Sequence, residues 1–229
     1  MSYPTILLAA LGLWISAYGA KADIPSNPDD WTDRHSTLLH QGRVREFWTY
    51  SGTAKPRSVI FTLVGYVPDL DICELWHKDS DALGIRVLAK KYKALLVTPC
   101  PLKSPGSLIG GWGYNAGTCC QSNKSVDDID FVRQIIPVVT KSLGVGSLPV
   151  YAIGHDNGGM LAEALLCYNV VSQVASVGGI LTLEPGLKKG YKKCDDVFDA
   201  TPGKVRKIIK IHVPIGEKRL RKMGQEIDM

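Results

Sequence analysis

The pattern of hydrophobic and polar positions along the chain predicts strands buried on both faces that alternate with amphipathic helices. Five runs are predominantly apolar, and they are enriched in β-branched residues, which is typical of parallel strands covered by helices. These predicted strands cover residues 58–64, 94–97, 148–153, 174–182 and 205–213. Residues 45–50 are also predicted to form a short antiparallel strand at the edge of the sheet.

Three segments between these strands have apolar residues at helical spacing. The predicted helices cover residues 81–92, 126–143 and 159–167. Asp127, Asp128 and Asp130 fall in the first turn of the second helix, where their charge offsets the helix dipole, so a structural role is favoured over catalysis. The pattern as a whole predicts an α/β fold with a mostly parallel sheet and helices on both faces.

The amino-terminal residues have the features of a signal peptide. Residues 6–20 form an apolar run, and Ala20-Lys21-Ala22 has the small-x-small form that a signal peptidase accepts. The run is short for a transmembrane helix and has no charged flank. We therefore expect residues 1–22 to be removed, leaving a secreted, extracellular protein without a membrane span. Residues 23–229 would then be a single domain.

The six cysteines all follow the predicted signal peptide, and an even number in an oxidising compartment favours disulfides. No C-x-x-C pair occurs, so no metal site is predicted. Cys167 and Cys194 are expected to pair, because one ends the helix at 159–167 and the other follows the next strand. Cys119 and Cys120 are adjacent and are expected to take different partners, Cys73 and Cys100.

The formal charge of +5 is unevenly distributed over a composition that is otherwise typical of globular proteins. Twelve of the 27 basic residues lie within the carboxyl-terminal segment 188–229. This segment is either a binding site for polyanions or a solvated face. Asn123-Lys124-Ser125 is a glycosylation sequon, so a glycan is expected on Asn123 if the source is a eukaryote.

The stretch "YAIGHDNGGM" (151–160) predicts a strand, a tight corner and the start of a helix. Its frame Gly154-His155-Asp156-Asn157-Gly158 matches the G-x-S-x-G nucleophile elbow, with an aspartate at the serine position. Together with "WGYNAGTCC" (112–120) and "VDDIDFV" (126–132), it resembles the secreted polyhydroxybutyrate-depolymerase and feruloyl-esterase-like family of α/β-hydrolases. The resemblance covers residues 58–179, about half of the chain.

The resemblance implies specific roles, and the sequence departs from several of them. Asp156 stands at the nucleophile position, while the oxyanion would be held by the N–H groups of Asn157 and of the turn that contains Gly65. The family's acid loop corresponds to residues 211–217, where no acid is clearly placed, and the chain ends before the family's histidine. His212 is the only histidine after Asp156. Serine-type ester hydrolysis is therefore not expected, and the fold is expected to be shortened at its carboxyl end.

Three interpretations of Asp156 remain open from the sequence. The frame also resembles the elbow of epoxide hydrolases and haloalkane dehalogenases, in which an aspartate attacks carbon, with His212 as the candidate base. Alternatively, the protein binds an extracellular polymer, glycan or matrix surface without catalysis, and Asp156 merely caps the following helix. The chain could also be a truncated isoform of an active carboxylic-ester hydrolase. No cofactor and no nucleic-acid partner are expected.

Overall fold

A computed structural model of the chain describes residues 31–52, 54–67, 72–80, 84–104, 111–117, 120–121, 123, 125–179 and 207–211. The predicted signal peptide, His212, Cys119, Cys194 and all of the basic segment except 207–211 lie outside the described residues. Within the described ranges, no helix is long and apolar enough to cross a membrane.

The predicted strands and helices are present in the predicted order, and residues 31–40, 72–79, 102–104 and 111–113 form four further elements that the sequence did not predict. The strands are β1 (Trp31–His40), β2 (Arg43–Gly52), β3 (Ser58–Leu63), β4 (Ala94–Pro99), β5 (Leu102–Ser104), β6 (Gly111–Gly113), β7 (Val150–His155), β8 (Gln173–Val177) and β9 (Lys207–Ile211). The helices are α1 (Ile72–Asp79), α2 (Ile85–Tyr92), α3 (Asp128–Ser142) and α4 (Asn157–Cys167).

Seven of the described strands form one sheet in the order β1-β2-β4-β3-β7-β8-β9. The five strands from β4 to β9 in this order run parallel, whereas β1 and β2 are antiparallel to their neighbours. β5 and β6 form a separate antiparallel pair. The predicted mostly parallel α/β sheet is confirmed.

The hydrophobic core lies on both faces of this sheet. On one face, side chains of α3 and α4 such as Val132 and Leu161 pack against Phe61 and Val97 of the central strands. On the other face, α2 contributes Leu88, which packs in the same cluster as Leu96 and Tyr151. Because β3, β4 and β7 are covered on both faces, their sequences read as continuous apolar runs.

Two details of the predicted fold are wrong: the edge position of β2 and the start of helix α2. β2 is not the edge strand, because it pairs with β4 on one side and with β1 on the other. β1 is missed because most of its side chains are exposed or half-buried, so it carries no alternating hydrophobic signal. Helix α2 starts at Ile85 instead of residue 81, directly after Gly84 in the left-handed conformation.

The predicted pairings of Cys119 and Cys120 with Cys73 and Cys100 are wrong. Cys73 of α1 is bonded to Cys100 at the end of β4, so neither pairs with Cys119 or Cys120. The spacing of cysteines along a chain does not determine their connectivity, and here the packing of α1 over β4 brings the two sulfur atoms together. Cys120 and Cys167 each take part in a disulfide whose partner lies outside the described residues. The pairing of Cys167 with Cys194 stays a prediction.

Candidate active site

The predicted elbow is present at the junction of β7 and α4. Asp156 has φ 51° and ψ −120°, a strained conformation for a residue with a side chain. Its backbone N–H donates to the carbonyl of Val177 on β8, at 2.8 Å, and its carbonyl accepts from the N–H of Met160 in α4, at 3.0 Å. This sharp turn presents the half-buried Asp156 side chain at the carboxyl end of the parallel strands.

The Asp156 carboxylate is directed at the turn that follows β3. Its Oδ2 accepts a hydrogen bond from the backbone N–H of Tyr66, at 3.0 Å. Gly65 permits this approach, because a Cβ added there would lie 3.2 Å from the same oxygen. Asp156 occupies the N-cap position of α4, but its side chain makes no capping hydrogen bond. The interpretation of Asp156 as a side-chain cap is therefore wrong.

Asn157 has a structural role that the sequence does not reveal. Its side chain is fully buried; Oδ1 accepts the N–H of Tyr114 at 2.6 Å, and Nδ2 donates to the carbonyl of Tyr114 at 3.2 Å. The Tyr114 hydroxyl in turn donates to the carbonyl of Pro99, at 2.6 Å. Burial raises the pKa of Tyr114 well above its usual range. Asn157 thus fixes the elbow to the segment after β6, and the predicted use of its N–H as an oxyanion donor stays untested.

The surroundings of Asp156 contain aromatic groups but, within the described ranges, no histidine whose side chain hydrogen-bonds to its carboxylate. His155 is exposed and stacks near Trp76 of α1, with ring centroids 6.3 Å apart. Tyr66 packs against β6, where Cβ atoms added to Gly111 and Gly113 would come within 3 Å of its ring. His212, the predicted base, lies outside the described residues. The described part of the site thus holds a carboxylate and a backbone N–H donor.

The three aspartates at the start of α3 have structural roles, through contacts that the sequence does not predict. Asp127 caps the helix by accepting the N–H of Asp130 at 2.9 Å. The Asp130 carboxylate contacts His40 at 3.1 Å. Asp128 lies in the interior and pairs with Arg45 of β2, at 2.6 Å. Helix α3 is therefore held to β1 and β2 by these acids.

A second cluster of polar side chains lies under β1 and was not predicted. His77 of α1 is fully buried, with Nε2 2.9 Å from Oδ1 of Asp33 and Nδ1 2.7 Å from the hydroxyl of Thr98. Arg86 donates to both oxygens of Asp33, at 2.8 and 3.1 Å. Since a carboxylate only accepts, a neutral His77 donates from Nε2 to Asp33 and accepts from Thr98.

The order of carboxylate, imidazole and hydroxyl in this cluster is also the order found in hydrolytic triads. Thr98 and His77, however, are both inaccessible to solvent, so no substrate carbonyl can reach the hydroxyl. The cluster instead ties β1 to α1, α2 and β4. Burial lowers the pKa of His77 to about 4 from its ordinary value of 6.5, with the Arg86 guanidinium acting in the same direction and Asp33 opposing.

We expect acid to destabilise the protein through His77. Between pH 6.5 and about 4 the unfolded chain binds a proton at this imidazole and the folded chain does not, so stability falls as the pH falls through this window. The shift corresponds to about 3 kcal/mol once the pH is below 4. Urea unfolding at pH 7.5 and pH 4.5 would measure most of this loss of stability. A His77→Gln variant should lose much of this pH dependence, whereas His35→Gln, at an exposed site, should retain it.

No family model and no curated protein matches the sequence. Solved structures are similar in fold. The poly(3-hydroxybutyrate) depolymerase LpqC from Bordetella parapertussis is 14% identical, with a TM-score of 0.50 over 83% of this chain and 72% of its own. Native pOPH is 14% identical, with a TM-score of 0.51 over 85% and 70% of the two chains.

A ferulic acid esterase is also similar, at 15% identity and a TM-score of 0.45 over 66% of this chain. The chain spans 59% of the length of that esterase. The similarity to LpqC and to pOPH, with TM-scores of 0.50 and 0.51, establishes an α/β-hydrolase-like fold, in agreement with the parallel sheet and the elbow between β7 and α4.

Proposed function

We propose that this α/β-hydrolase-fold protein does not hydrolyse esters by serine-type chemistry and acts by binding in the extracellular space. One observation carries the first part of the proposal: Oδ2 of Asp156, at the nucleophile position of the elbow, accepts the N–H of Tyr66 at 3.0 Å. Secretion rests on the apolar run at 6–20 with its small-x-small site and on the disulfides.

The hydrogen bond from Tyr66 explains why an ester would not react. In acyl transfer, backbone N–H groups at this turn and at the start of the helix stabilise the negative charge that develops on the carbonyl oxygen. Here the carboxylate of Asp156 takes one such donor in the ground state, and its own charge opposes a developing oxyanion. A carboxylate is also a poor nucleophile toward an acyl carbonyl. The site therefore keeps the shape of a hydrolase centre without its electrostatics.

We expect the secreted protein to show no turnover of p-nitrophenyl acetate or methyl ferulate and no labelling by a fluorophosphonate. Asp156→Ser should restore little activity, since a serine also needs a base and an acid, and His212 is the only later histidine. Asp156→Asn is the matched control, because it retains the shape without supplying a hydroxyl. Ester turnover by the unmodified protein that disappears in His212→Ala would overturn the proposal.

A second function is favoured by the same hydrogen bond. With Oδ2 held by Tyr66, the other carboxylate oxygen of Asp156 can attack the carbon of an epoxide: a C–O bond forms, the ring C–O bond breaks and the ring oxygen takes a proton from water. Water would then hydrolyse the ester, with its carbonyl oxygen on the Tyr66 N–H. Turnover of styrene oxide, with a covalent adduct mapped to Asp156 by mass spectrometry, would establish this alternative. Absence of both turnover and adduct would exclude it for this substrate.

A further inference from the structure

A cavity of about 540 Å³ lies between β2, α1 and the β5–β6 pair. Its walls include His35, Glu46, Trp48, Glu74, Leu102 and Trp112, and we call it the tryptophan groove. Neither Asp156 nor Tyr66 lines it. Its volume falls in the range of sites that hold small ligands, so the groove is large enough for an organic molecule with more than one ring.

The groove presents flat apolar surfaces. Trp48 and Trp112 are both half-buried, so each indole is partly covered by the protein and partly open. Trp48 is held in place by the buried His77, with ring centroids 5.8 Å apart. Val44, which is 65% exposed, and Leu102 extend the apolar wall. Indole rings of this kind bind other flat apolar faces at low entropic cost, because few side-chain rotations are frozen.

The two exposed carboxylates of the groove already have polar partners. Glu46 pairs with His35, at 3.0 Å, and Glu74 pairs with Lys78 on the same helix. These side chains are roughly half-exposed, so each pair keeps lone pairs and protons available to a ligand. A purely apolar ligand would remove water from the carboxylates of Glu46 and Glu74 and would offer them no hydrogen bonds in place of those with water, which is unfavourable. A charged ligand would have to displace His35 from Glu46 or Lys78 from Glu74.

The groove is also fixed in shape before any ligand arrives. The Cys73–Cys100 disulfide joins its α1 wall to the end of β4. Behind it, Arg45 donates to the carbonyl of Cys100 at 3.1 Å and pairs with the buried Asp128. A site held in this way loses little conformational freedom on binding, so that more of the contact energy appears as affinity.

We propose that the tryptophan groove binds a neutral oligosaccharide. The apolar C–H face of a pyranose ring would stack on Trp112, while hydroxyl groups donate to Glu46, to Glu74 and to Nδ1 of a neutral His35, whose Nε2 already donates to Glu46. A neutral sugar provides both a flat apolar face and many uncharged donors and acceptors, which is the combination that the walls offer. The proposal goes beyond the proposed function, because it names a site and a ligand class and is independent of the chemistry at Asp156.

The experiment is calorimetric titration of the full-length secreted protein with chitotetraose and with cellotetraose at millimolar concentrations. We expect at least one of them to bind and Trp112→Ala to weaken that binding roughly tenfold, the size of one well-packed aromatic contact. Trp31→Ala is the matched control, since Trp31 is also half-buried but lines a different cavity, next to Lys90 and Lys93. The Trp31→Ala variant should bind the sugar with unchanged affinity.

Glu46→Gln tests the polar half of the site. Because the Glu46 side chain is more than half exposed, the substitution should not unfold the protein, and it should weaken sugar binding several-fold. The proposal is wrong if neither sugar binds the unmodified protein, or if Trp112→Ala and Glu46→Gln bind as well as Trp31→Ala does. Binding of heparin oligosaccharides alone would also contradict it, since a polyanion is a different ligand class. Ester and epoxide assays on the same preparation report on Asp156 separately, so the two proposals fail independently.

Discussion

Replacing Asp128 with alanine is expected to lower the free energy of unfolding by about 3–5 kcal/mol, which is the usual cost of breaking a buried ion pair from one side. Asp128 and Arg45 are both 1% exposed, and their side chains are 2.6 Å apart. The second oxygen of Asp128 accepts the N–H of Asn115, at 2.6 Å. Alanine would leave a buried guanidinium and a backbone N–H without this acceptor.

Equilibrium urea unfolding of the purified variants would measure the effect of Asp128→Ala. Asp79→Ala serves as the control, because Asp79 is an exposed acid at the end of α1 and its loss should change stability by less than about 0.5 kcal/mol. Asp128→Asn should fall between the two, as it keeps the shape and an acceptor but removes the charge. A loss below about 1 kcal/mol in Asp128→Ala would show that water or a rearranged Arg45 compensates for the missing carboxylate.

The central part of the fold could be predicted because it is specified by local patterns. β3, β4 and β7 are each buried on both faces, so their apolar runs are visible without knowing what covers them. The acids at the start of α3 mark where the helix begins, and the N-cap formed by Asp127 agrees. These features depend on residues close together in the chain.

The part of the fold that the sequence did not predict depends on residues far apart in the chain. β1 is largely polar on its exposed side, and it joins the sheet through pairing with β2 and through Asp33, which meets His77 and Arg86. Asp33 and Arg86 are 53 positions apart in the sequence. No periodicity in either segment indicates that they meet, because the packing of α1 and α2 over the sheet brings them together. The same reasoning applies to the Cys73–Cys100 disulfide.

In the candidate site, too, the local turn could be predicted from the sequence and the contacts between distant residues could not. The glycine frame of residues 154–158 predicts the elbow, because its tight packing leaves no room for a Cβ: one added to Gly154 would lie 2.1 Å from the carbonyl oxygen of Gly158, and one added to Gly158 2.2 Å from that of Leu63. The sequence does not reveal that the Asp156 carboxylate accepts the N–H of Tyr66, 90 positions away. Nor does it show that the Asn157 side chain turns inward to Tyr114. These contacts depend on how the turn after β3 packs beside α4.

Gly158→Ala is expected to destabilise the protein by at least about 3 kcal/mol, and it is the substitution most expected to prevent folding. A Cβ at this position would lie 2.2 Å from the carbonyl oxygen of Leu63 and 2.5 Å from that of Val64. Both are backbone atoms of the central strand and the turn after it, so they cannot rotate away as a side chain can. To make room, the first turn of α4 would have to move off β3, which would also displace Asp156 from Tyr66.

Gly146→Ala is the matched control for Gly158→Ala, because no atom lies within 4 Å of the added Cβ and the backbone there is compatible with alanine. It should leave stability unchanged or raise it by up to about 1 kcal/mol through a lower entropy of the unfolded chain. The two variants are compared first by the yield of purified protein and then, where both fold, by urea unfolding. Equal stability of the two would mean that α4 does not pack against β3 as closely as the structure shows. A lower stability of Gly158→Ala, by contrast, would show that the elbow's glycine is required by backbone packing whatever chemistry Asp156 performs.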